Sequence, residues 1–243
     1  MWQALVWKEW REQRWRMGFG VALLAVYTII GLRTRIMPDE QIIAMTILVG
    51  GGIFPLMAAM ALIAPERADG TIVRLLTLPI PTWHMLAAKG IVGCAVCVAP
   101  VLVSALLATL IAGDREMAWS ELIKIYAMAM GVSVSMFTWL TAAGIRQPSE
   151  ARAGLAGIGV VVIWMLLIVL SSLLPLQGVD ANTQVEWVAA FSPFGLMALI
   201  DDIGPAAHAL RSAGIVMVIQ ISMVALVWLW SARRIGKPGK VVA

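Results

Sequence analysis

The sequence predicts an all-α integral membrane protein. Three observations carry that prediction: composition, the length of the apolar runs, and the side on which Lys and Arg fall. Of the residues, 61% are hydrophobic and only 13% charged, with a mean hydropathy of +0.90, whereas a soluble domain is about 45–50% apolar and about 25% charged. A hydrocarbon core about 30 Å thick needs about 20 apolar residues per helix. Six runs approach or meet that length: 17–32, 42–64, 85–112, 119–143, 153–175 and 212–231. With the N-terminus inside, thirteen of the eighteen Lys and Arg residues fall on the cytoplasmic side, which satisfies the positive-inside rule and places both termini there. The net charge of +4 is then a topology signal and does not point to nucleic acid.

Residues 1–16 precede the first run, and "WQALVWKEWREQRWR" reads as a helix that does not span. At 100° per residue Trp2, Leu5, Val6, Trp10 and Met17 share one arc, Lys8, Arg11 and Glu12 gather opposite, and Glu9 is the one misplaced charge. Trp with Arg on such a helix suits the membrane interface, so an elbow lying flat on the inner leaflet is expected, with Trp2, Leu5, Trp10 and Arg11 as its membrane-interface residues. With five or more charges ahead of the first run and no small-residue cleavage site after it, that run is expected to stay as a span. The second run carries "GGGIFP" (50–55), where Gly51, Phe54 and Pro55 mark a possible hinge. The third is longer than a span needs and is expected to tilt or kink at Pro100. Cys94 and Cys97 inside it are packing residues, because two thiols make neither a disulfide framework nor a zinc quartet. The fourth run lines one stretch with Gly131, Ser133 and Ser135, and the fifth opens on "GLAGIG", small residues suited to close helix contact. Between the fifth and sixth runs, 176–211 is too apolar in its middle for a plain outer loop; short re-entrant helices are expected, with Phe191 and Phe194 beside the pathway. One membrane domain over 1–243 is the economical reading.

The polar insert at 65–84 is the most distinctive stretch. Pro65 is expected to end the second span, Glu66 and Arg67 to emerge as the first charges, Asp69-Gly70 to turn, and Thr71 to cap a two-turn helix that Pro79 and Pro81 stop. Leu75 and Leu76 then project on one side, which suits a protein partner. A second inside segment, "GIRQPSEAR", breaks the fourth span at Gln147-Pro148 and offers Ser149 as a cap for the fifth.

Glu66-Arg67, Gly70-Thr71, Leu75-Leu76, Leu78-Pro79 and Lys89 resemble, in order and spacing, the E-R-x-x-G-T-x-x-x-L-L-x-L-P…K pattern of the membrane subunits of ATP-binding-cassette exporters of the type-2 permease class. The resemblance spans nearly the whole chain, from the elbow through six spans to F-S-P-F-G (Phe191 to Gly195) before the last. It implies a permease whose separate cytoplasmic ATPase subunits, two per complex, grip the insert and the 144–152 loop. The interface residues would be Glu66, Arg67, Asp69, Gly70, Thr71, Leu75, Leu76, Gln147 and Ser149. It also implies a dimer, with a second copy or a related permease, in the inner membrane of a prokaryote. No G-x-x-x-x-G-K-[ST] phosphate loop occurs, so ATP and Mg would belong to the partner, and no catalytic, cofactor or metal site is expected here.

Two rival classes are weaker. An ion-coupled secondary transporter needs ionisable groups at membrane depth, and Asp and Glu fall in loops or at span ends. An intramembrane serine protease needs a nucleophile motif that "GVSVS" (131–135) does not supply. A non-transporting membrane scaffold would not need the leucine-bearing insert. Cargo is not written in the sequence: the Met and Trp counts of 15 and 11 suit an apolar route and ordinary spans equally.

Overall fold

The computed structural model describes residues 2–34, 45–46, 48–69, 81–111, 119–145, 147–174, 188, 190–193 and 206–235. Among these residues there is no strand. Six α-helices follow in chain order: α1 Trp2–Thr34, α2 Phe54–Ala68, α3 Thr82–Ile111, α4 Trp119–Gly144, α5 Glu150–Leu173 and α6 Ala206–Ile235. A π-helical segment, Val49–Ile53, leads into α2. Among the described residues, four helices are long and apolar enough to cross a membrane: Trp2–Thr34, Trp83–Ile111, Ile125–Gly144 and Glu150–Ser171. The second and sixth expected spans are represented by shorter apolar helices, Val49–Leu62 and Ile215–Ser231, next to residues outside the described set.

The N-terminal segment departs from the expected flat elbow. Residues 2–34 form one unbroken helix, about 50 Å long at 1.5 Å per residue. No Gly, Pro or cap interrupts it before Gly18, so the segment extends the first span without a corner. Its expected lipid arc also turns inward: Val6, Trp10 and Met17 pack against a core of Leu62, Leu86, Val96, Phe137 and Leu140. Trp2 of that arc stays exposed, as do Trp7 and Trp15 outside it.

Pro65 does not end the second helix, which continues to Ala68 with the Asp69 N–H donating to the Pro65 carbonyl. A proline so near a helix end removes one intrahelical bond, and ion pairs made by the next residue, Glu66, hold the turn in place. The insert is correspondingly shorter than 65–84: it runs from Asp69 to Pro81, and residues 70–80 lie outside the described residues. At the other loop α4 already stops at Gly144, three residues before Gln147. Ser149 does cap α5, its hydroxyl accepting from the Arg152 N–H at 3.4 Å.

Helix α4 is the centre of the bundle, touching α2, α3, α5 and α6. Of its apolar window 56% is buried, against 17% for α5, which therefore stands at the periphery. Close approach between helices rests on small residues. Gly154 and Gly157 of α5 face Met60 and Leu56 of α2, as the "GLAGIG" pattern anticipates. Gly93 of α3 lies against the ring of Phe137 on α4, where an added Cβ would run into the ring, and Phe137 is completely buried. Gly93→Ala is therefore expected to force α3 and α4 apart and to cost about 1–3 kcal/mol of stability, read as a lowered thermal unfolding midpoint in detergent. An unchanged midpoint would show that the ring has room to move. Helix α3 continues through Pro100, which packs on Gly20 of α1.

Candidate coupling site at one end of the bundle

Three buried ionisable side chains meet where α1, α2 and α3 converge beside the insert. Lys89, 1% exposed, donates to Glu9 Oε1 at 2.9 Å, to Glu66 Oε1 at 3.0 Å and to the Leu62 carbonyl at 2.8 Å. An ammonium has three N–H donors, so all three are used. Lys8 adds a second cation, 2.7 Å from Glu66 Oε1 and 3.5 Å from both Glu9 and Glu12. Glu9, Glu12 and Glu66 place carboxylate oxygens within 4.8 Å of one another. What draws these acids together is the pair of ammonium groups between them.

The cluster explains the misplaced charge of the N-terminal helix. Glu9 sits on the apolar side of α1 because that side packs against protein, and Lys89 waits there inside an otherwise apolar helix. Both could have been found in the sequence as charges breaking an apolar pattern; their pairing could not, since 80 positions separate them.

Helix α1 reaches both polar segments, the insert and the loop before α5. It holds the α2 end of the insert through Lys8 and Glu66 and the α3 end through Trp2, whose ring lies 5.7 Å from that of His84. Arg16 lies 3.9 Å from Glu150 at the start of α5, beside the Gln147–Ser149 loop. Of the expected interface residues, Glu66 is buried in the cluster, Asp69 is exposed, Gln147 is half-buried with its N–H donated to the Gly144 carbonyl, and Ser149 is the α5 cap. Arg67 lies within α2, while Gly70, Thr71, Leu75 and Leu76 fall outside the described residues.

The candidate hinge residues lie in and after the π-helical turn. The Phe54 N–H bonds the Val49 carbonyl, a spacing of five, so it no longer serves Gly50. Pro55, the next donor in that register, has no N–H. The Gly50 carbonyl is thereby orphaned, and the buried Ser133 hydroxyl of α4 donates to it at 2.8 Å. Gly51, Phe54 and Pro55 are buried around this junction. A Cβ at Gly50 would lie 2.6 Å from Val101 of α3, so the turn is also wedged sterically. π-turns of this kind mark functional bends. Ser133→Ala is expected to leave the carbonyl unpaired at a cost of about 1–3 kcal/mol. Faster amide exchange in residues 50–54, restored by Ser133→Thr, would report it; unchanged exchange would show that the hydroxyl is dispensable.

Ser133 is thus spent on the π-turn, while Gly131 and Ser135 line a cavity of about 490 Å³ with Val98 and Gln220. Gln220 was not anticipated. It accepts from Ser135 at 2.7 Å and donates to the carbonyls of Ala190 and Ser192 at 2.6 and 2.8 Å, tying α4 and α6 to the F-S-P-F stretch. An amide in the middle of an apolar run was its only signal in the sequence. Phe191 is exposed and lines a separate cavity of about 430 Å³ with Trp164 and Ser171 of α5, whereas Phe194 is outside the described residues.

The bundle of apolar helices thus gathers buried charge beside a polar insert and carries one π-turn whose freed carbonyl is bonded by Ser133. The chain belongs to the ABC-2 transporter family: the family model described as "ABC-2 family transporter protein" matches residues 32–195. It is accordingly an ABC transporter permease, a membrane protein of a family that associates with ABC ATPase subunits. No curated protein matches the chain at a significant level.

Proposed function

We propose that the chain is the permease half of an exporter, driven by ATP that separate cytoplasmic ATPase subunits bind with Mg and hydrolyse. Two ATPases and two permease copies, or this chain with a related permease, make the complex in the inner membrane of a prokaryote, with both permease termini and the insert on the cytoplasmic side. The observation that carries this reading is the continuous helix α1, which contacts both ends of the insert and the start of α5. A rod anchored to both segments turns a push on either into movement of the first span. The buried Lys89 with its three acceptors makes the anchor stiff.

Purification from its native membranes in mild detergent tests the reading, and an ABC ATPase is expected to accompany the chain. Single-cysteine labelling in a Cys-free background tests the sidedness: Gly178→Cys is expected to react from outside, and reaction only from inside would overturn the topology.

A further inference from the structure

We propose that the outward stripe of α1 is a binding site for one anionic phospholipid in the leaflet that holds the N-terminus. The structure sorts the four cationic side chains of the N-terminal half of α1 into two pairs. Lys8 and Arg16 have carboxylate partners, whereas among the described residues Arg11 and Arg14 have none, and both are exposed. These two share one helix face with Trp7 and Trp15, which are 64% and 77% exposed, and the Arg14 guanidinium lies 5.6 Å from the centre of the Trp15 ring.

Further along the same face the chemistry changes in the order of a phospholipid. Gly18 has nothing within 4 Å of the place a Cβ would take, and Ala22 follows one turn on, so the helix surface is a shallow trough. Exposed Val26 continues it. Phosphate would sit between Arg11 and Arg14, as guanidinium groups bind its oxygens in pairs. Trp7 and Trp15 would lie at headgroup level, where indole rings concentrate, and an acyl chain would run along the Gly18–Ala22 trough. An acidic protein surface would match the two arginines alone; it would have no use for bare tryptophans leading into a trough of small residues on a membrane span. The continuity of α1 makes this arrangement possible, since a flat elbow would have put the trough and the arginines on different axes.

The full-length protein reconstituted in phosphatidylcholine vesicles containing phosphatidylglycerol tests the site. Tryptophan fluorescence is quenched by lipids brominated on the acyl chain, and competition between brominated phosphatidylglycerol and brominated phosphatidylcholine reads the preference. The wild-type protein is expected to prefer the anionic lipid. Arg11→Gln with Arg14→Gln should lower that preference by about fivefold per arginine, while Arg33→Gln at the far end of α1 leaves it unchanged. Gly18→Leu, which fills the trough and removes no charge, should weaken quenching by both brominated lipids at this site. Free inorganic phosphate should not compete, because it has no chain to place. An unchanged preference in the double arginine variant overturns the proposal. So does a variant that keeps its lipid preference but loses a copurifying protein, which would make the stripe a protein contact.

Discussion

Lys89→Met is expected to destabilise the protein by about 3–5 kcal/mol, the cost of leaving buried charge without its partner. The substitution keeps the side chain's bulk and removes its charge, so packing is preserved while Glu9 and Glu66 lose their shared ammonium and the Leu62 carbonyl loses a donor. Lys8 reaches Glu66 at 2.7 Å but Glu9 only at 3.5 Å, so Glu9 is the acid left worst served. Glu9→Gln added to Lys89→Met should therefore recover part of the loss, and the double-mutant cycle should give a coupling energy well above the few tenths expected of independent sites. The measurement is the midpoint and slope of denaturant unfolding in detergent, followed by helical signal. Single variants that add independently would mean that the cluster is an accident of proximity and does not anchor the insert.

The second large effect concerns docking of the ATPase. Leu75 and Leu76 stand on the stretch that the sequence reads as a two-turn helix. Burial of each leucine in a groove of the ATPase would contribute about 1.5–3 kcal/mol, so Leu75→Asp with Leu76→Asp should weaken docking by a factor of about 10² or more. The variant should still insert into the membrane, because both ends of the insert have contacts of their own with α1, Glu66 with Lys8 and His84 with Trp2. Copurification of the ATPase and its stimulated ATP turnover are the readouts. A double variant that retains both would reduce the insert to a connection. Comparison with Lys89→Met separates two ways of failing: the leucine variant loses the partner from a stable permease, and the lysine variant loosens the permease itself.

Membrane class, the helical runs, the small residues at the start of α5 and the Ser149 cap were all legible in the sequence, because each depends on composition or on neighbours within a few positions. The family pattern was legible for the same reason: its residues follow one another along the sequence from Glu66 to Lys89. Glu9 shows where that reasoning stops. On a helical wheel it was a charge on the wrong side, and the sequence offered no way to tell an error of pattern from a buried partner 80 positions away. The direction of the face that carries Val6, Trp10 and Met17 failed in the same manner. Trp and Val segregate from charge whether they meet lipid or protein, since both media are apolar, so periodicity identifies an apolar face without naming what covers it.

The sequence by itself determined that this chain is an all-helical membrane protein with a polar insert after Glu66. Only the tertiary structure decided that α1 is a single rod, that Lys89 binds Glu9 and Glu66 where α1, α2 and α3 converge, and that Ser133 completes the turn Pro55 leaves open. The physical reason is common to all three. Local preference sets the helix, but a buried charge or an orphaned carbonyl must find its partner on whatever element packs against it, and that element is chosen by the bundle as a whole.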